Sequence, residues 1–107
     1  MVLVEIAEHP EERRRGLAGR AHLHERAGML FWMGQRADHA FWGRGLLIPL
    51  DMLFVDFDRV VGVSGVNAGD ETQVSMGRPS SAVLEVNRGW VTRHGVEVGD
   101  LVRISAA

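Results

Sequence analysis

Cysteine and lysine are both absent from the 107-residue chain. Without cysteine there can be no disulfide, no thiolate metal site and no cysteine nucleophile, so stability has to come from burial and hydrogen bonding alone. All twelve basic residues are arginine, a permanently charged planar fork suited to carboxylates and phosphates. An excess of positive charge is missing as well. A net charge of −2 and a pI near 6.2 provide no basic footprint for displacing the counterions of nucleic acid, and no nucleic-acid partner is expected. No run approaches the ~20 apolar residues that cross a bilayer. The opening Met1-Val2-Leu3-Val4-Glu5-Ile6 lacks the basic flank and small-residue cleavage site of a signal peptide. No membrane association is expected, and a cytoplasmic location is expected for the chain as it stands, or export if an upstream signal has been trimmed. Phosphate-cradling glycine loops, the Gly-x-Ser-x-Gly elbow and His-Glu-x-x-His are also missing. No cofactor is expected, and the balance tilts away from an enzyme.

An apolar content of 46% is enough for one core, and a chain of this length could not shield two, so a single domain is expected over residues 1–107. The opening segment reads as a strand. Pro10-Glu11-Glu12-Arg13-Arg14-Arg15-Gly16 then predicts a short helix, with proline and acids in its first turn, bases in its last and glycine beyond. His9 stands at the cap position, where fraying is expected because serine or threonine would serve better. Met29 to Met33, Ala40 to Trp42 and Met52 to Asp58 are short and rich in aromatic or β-branched residues, which favours strands. The last of them joins Val60 to Val66 as a hairpin, through a tight connection at Asp58-Arg59. A polar loop is expected from Asn67 to Ser81, a strand from Ala82 to Asn87, a helical turn at Gly89 to His94 and a closing strand from Leu101 to Ser105. This pattern predicts an all-β fold, a compact antiparallel sandwich or barrel with one or two short helical insertions.

Ten groups of residues occur in a telling order: Pro10-Glu11-Glu12-Arg13, Gly16-Leu17, Arg20, Gly28-Met29-Leu30-Phe31, Phe41-Trp42, Ile48-Pro49-Leu50-Asp51, Phe54-Val55-Asp56, Leu84-Glu85-Val86-Asn87, Gly89-Trp90, and Gly99-Asp100 with Val102. In this the chain resembles the domain-of-unknown-function family 192 over nearly its whole length. The resemblance implies a small β-rich bacterial or archaeal domain, often exported, without an established activity. Where relatives typically read Phe-Trp-Met-Lys-Asn-Thr, this chain reads Phe41-Trp42-Gly43-Arg44-Gly45-Leu46, which loses an amide and a hydroxyl. The cysteine-containing loop of many relatives is replaced by the cysteine-free stretch from Asn67 to Ser81.

Two carboxylates stand out. Asp51 alternates with Leu53, Val55 and Phe57, which aims it inward, whereas Glu85 is buried only if its strand is covered on both faces. A buried carboxylate needs a partner, and Arg20 and Arg44 are the arginines expected to supply one. One reading is structural, an internal ion pair or a backbone-bonding carboxylate. The other is a binding module in which Trp42, Arg44, Asp51 and Glu85 line a polar pocket for an anionic or hydroxyl-rich ligand, with Arg20 as charge partner. Acid–base work by Asp51 and Glu85 depends on a separation that sequence does not supply. A second possibility is a structural or partner-binding domain using exposed aromatics among Trp32, Trp42 and Trp90, of which Trp42 is the better site candidate. A third is a metal-dependent enzyme using His22 and His24, part of a cupin-like spacing whose remaining ligands are absent.

Overall fold

A computed structural model describes residues 1–105; residues 106 and 107, the end of the expected domain, lie outside the described residues. Among the described residues five strands and two short helices run in the order β1 (Leu3–Ala7), α1 (Pro10–Arg15), β2 (Ala27–Ala37), β3 (Leu50–Asp56), β4 (Arg59–Val66), β5 (Ser80–Asn87) and α2 (Trp90–Arg93). The strands form one sheet in the spatial order β1-β2-β5-β3-β4. β3 is apolar at every position but Asp51 and Asp56 and is buried over most of its length, as a strand covered on both faces must be. β5 inserts between β2 and β3 and is antiparallel to both.

The expected barrel and all-antiparallel pairing are corrected here. The sheet is open, with β1 and β4 as its edges, and β1 lies parallel to β2. A parallel neighbour requires a crossover, which α1 and the segment after it provide. The expected sandwich also differs from what is found. Among the described residues the strands form a single sheet, and loops and short helices cover both of its faces. Ala40 to Trp42 and Leu101 to Ser105 are not strands: each contributes one isolated bridge, Phe41 with Val74 and Leu101 with Arg59. Aromatic and β-branched content favours extended backbone, but only a neighbour with free hydrogen-bonding groups makes a strand of it.

Side-chain alternation separates two apolar layers. On the first face, Met29 and Phe31 of β2, Val83 of β5 and Leu50, Met52 and Phe54 of β3 pack against Leu17, Leu23 and Leu46, with Phe41, Val74 and Met76 beside them. On the second, Leu30, Leu53, Val55, Val60, Ala82 and Val86 meet Val4, Trp90, Val91, Val96 and Val102.

Candidate functional site

The connecting segments on the first face leave an open cleft of about 310 Å³ between α1, the segment 38–49 and the sheet. Its apolar wall includes Phe31, Phe41, Trp42 and Leu46, and its charged lining consists of Arg13, Arg14, Arg15, Arg44 and Glu85. Phe41 meets Phe31 and Phe54 edge to face at 5.2 and 6.0 Å between ring centroids, which fixes the wall. Reciprocal backbone hydrogen bonds with Val74 anchor Phe41 itself.

α1 approaches the sheet closely because Gly16 has no side chain. It adopts a positive φ of 49°, and a Cβ there would stand 3.0 Å from the Phe31 ring. The N-terminus of the helix is tied down despite His9. Glu12 reaches back to accept from the His9 backbone N–H at 3.0 Å, and this hydrogen bond lowers the pKa of its carboxyl. Successive residues on a helix are about 100° apart, so the run Arg13-Arg14-Arg15 cannot point wholly to solvent. Arg13 donates to the backbone carbonyls of Glu8 and Trp32.

Glu85 projects from the middle of β5 toward the cleft, with Met29 on one neighbouring strand and Met52 on the other. It is 4% exposed, and among the described residues no hydrogen bond or ion pair reaches it. Burial pushes its carboxyl up to about 7, so near neutral pH the protonated and ionised forms are both populated.

Asp51 lies on the opposite face. Its Oδ2 accepts from the backbone N–H groups of Gly89 at 2.9 Å and Val91 at 3.1 Å, capping α2 from a distant strand. Its charge partner is Arg88, at 3.5 Å. The expectation that Arg20 or Arg44 would neutralise the two carboxylates is therefore corrected. Arg20 pairs with Glu5, whose carboxyl it lowers, at a second hollow that adjoins the cleft at Arg15, Gly16 and Ala18. Arg44 lies 3.6 Å from Glu71 and over the Trp42 ring at 5.4 Å. Strand alternation had aimed Asp51 inward correctly, but inward on a two-faced sheet means either of two layers.

Of the five residues proposed from sequence, the structure brings Trp42, Arg44 and Glu85 to one cleft and leaves Asp51 and Arg20 outside it. The sequence reading missed Phe31, Phe41 and the arginines of α1. The available signal was the arginine triplet on a six-residue helix, read only as a match to the helix dipole. His22 and His24 gain no further ligand: among the described residues no group of three histidine, aspartate or glutamate side chains gathers as a metal would require. Among those residues no helix is long and apolar enough to cross a membrane.

The family model DUF192, described as an uncharacterised ACR, matches residues 1–104. Two solved structures are similar over nearly the whole chain. One is a protein from Sinorhizobium meliloti 1021, provisionally described as a transcription regulator. It is 32% identical with a TM-score of 0.91, and the match covers 94% of this chain and 79% of that one. The other, from Novosphingobium aromaticivorans DSM 12444, is described as of unknown function. It is 35% identical with a TM-score of 0.92, over 96% of this chain and 75% of that one. No curated protein matches the chain.

Proposed function

The chain belongs to the uncharacterised DUF192 family, and from that premise we propose that it is a binding module whose cleft, lined by Glu85, holds a small polar ligand that is anionic or hydroxyl-rich. The observation that carries this reading is Glu85, 4% exposed, without a hydrogen-bond or ion-pair partner among the described residues and facing an open cleft. Its carboxyl can form with a bound molecule the hydrogen bonds that no other described residue supplies. Aromatic walls with a few convergent polar groups are the usual makeup of small-molecule sites. Catalysis is not part of the proposal. Among the described residues Glu85 is the sole carboxylate lining the cleft, so a two-carboxylate mechanism has no second acid there. Nor is the description of the Sinorhizobium protein as a transcription regulator carried over, because a net charge of −2 favours no nucleic acid.

Thermal-shift measurements with sugars, organic acids and phosphates test the proposal. A ligand at ten times its Kd stabilises the folded state by about 1.4 kcal/mol, a Tm rise of roughly 5 °C. That rise is expected in the wild type and should shrink in Trp42→Ala, whose truncated side chain is part of the cleft wall. Flat responses across all three classes would remove the reading.

One observation favours partner binding instead. Ile6 and Trp32, 44% and 48% exposed, lie on the second sheet face along β1 and β2. Light scattering and pull-down separate the two readings, since a strictly monomeric chain that retains no partner argues against the second.

A further inference from the structure

Resting on the cleft as a binding site, the charge arrangement narrows the ligand. We infer that the cleft takes a small organic anion with an apolar body, its oxyanion head directed to Glu85 while the four lining arginines supply a positive field.

The argument begins with the sign of that field. Among the described residues four arginines line the cleft, Arg13, Arg14 and Arg15 from α1 and Arg44 from the segment 38–49, against the single acid Glu85. Arg44 is partly offset by Glu71 at 3.6 Å. Arg13 is held on two backbone carbonyls and keeps its charge. Arg14 and Arg15 make no ion pair or hydrogen bond among the described residues, so their charge is uncommitted.

No neighbouring element reverses the sign. On the β1 side Glu5 is paired with Arg20, while Glu8 and Glu11, before and on the first turn of α1, are exposed and line neither hollow. Glu12 of α1 lines the adjoining hollow, with its carboxylate on backbone N–H groups. β2 and β3 flank Glu85 with Met29 and Met52, and beyond them β4 presents Gly62, Ser64 and Val66. The covering segments add Leu17, Leu23, Val74 and Met76.

A cationic ligand would enter against four like charges to meet one acid, whereas an anion enters with the field. In the cleft the anion meets Glu85, whose carboxyl burial pushes up to about 7, so that its neutral form predominates at pH 6. A neutral carboxyl donates one hydrogen bond, and to a charged acceptor such a bond is roughly twice as strong as one between neutral groups. The phenylalanine and tryptophan wall takes the apolar body.

The test compares benzoate, benzyl alcohol and benzylamine, three probes of one size with different heads, by amide chemical-shift titration of the wild-type protein at pH 6.0 and 8.0. Benzoate is expected to bind tightest and to weaken about tenfold between the two pH values, because ionised Glu85 repels it and has no donor. In Glu85→Gln the amide keeps a donor at both pH values, so the pH 6.0 affinity should persist at 8.0; the wild-type series carries the test even if this variant fails to fold. Equal or tighter binding of the alcohol or the amine, or a benzoate affinity that is flat or rises with pH, overturns the anion inference and leaves the cleft standing. Silence from all three probes at the cleft residues overturns the inference and the binding reading together.

Discussion

At the scale of single residues, two buried carboxylates face opposite fates. Glu85 has its folded-state pKa raised from 4.5 to about 7 by burial. Below pH 4.5 it is protonated whether folded or unfolded and costs nothing by ionisation. Between 4.5 and 7 the unfolded chain releases the proton while the folded chain retains it, so stability falls as pH rises, by roughly 3 kcal/mol when complete. Glu85→Gln should therefore gain on the order of 3 kcal/mol over wild type at pH 8 and little at pH 4, as read from urea denaturation at the two pH values. Asp51, by contrast, has its carboxylate held by two backbone donors. Asp51→Ala should lose about 2–3 kcal/mol by orphaning the N–H groups of Gly89 and Val91. Arg88→Ala should lose less, since that arginine is substantially exposed and its contact with Asp51 is long. Ser80 is fully buried and its hydroxyl has no partner among the described residues, so Ser80→Ala is expected to raise Tm, with a gain of about 1 kcal/mol.

At the scale of elements, close backbone approach decides more than propensity does. Gly28 of β2 has no room for a side chain, because a Cβ would stand 2.6 Å from the Glu85 carbonyl oxygen and 3.1 Å from Val86. Gly28→Ala should push β2 away from β5 and cost about 1–3 kcal/mol, visible as a lowered urea midpoint. The β3–β4 hairpin was legible in sequence, but its turn was not. The connection falls at Phe57-Asp58, with Phe57 at a positive φ of 55°. Nothing local favours phenylalanine there. Its N–H donates to Ser81 Oγ and Arg36 lies 5.5 Å from its ring, contacts that come from other strands. α1 was legible to within a residue because proline, acids, bases and glycine act within one or two turns.

At the scale of the whole molecule, the titrating groups oppose one another. Glu5, Glu12 and Asp70 have lowered pKa values, from Arg20, from the backbone of His9 and from Thr72 respectively. Their contribution is present above their unfolded values and is lost as pH falls through the folded ones. Glu85 contributes in the reverse direction, so thermal stability should peak near pH 5 and decline toward neutrality, and Glu85→Gln should move the peak upward. A Tm profile from pH 3 to 9 on both proteins checks this; a wild-type maximum above pH 7 would contradict it.

The sequence alone determined the β-rich character, both helical turns, the hairpin and the family, because alternation, capping residues and turn chemistry act over a few neighbouring positions. It also singled out Glu85 and Trp42 as residues worth watching. Tertiary structure decided the strand order, the parallel β1–β2 pair and the open single sheet, since pairing is set between segments far apart in the chain. It likewise placed Asp51 and Glu85 on opposite faces. A period of two shows that a side chain points away from its neighbour, but which layer receives it depends on which strand lies alongside and which loop folds over it.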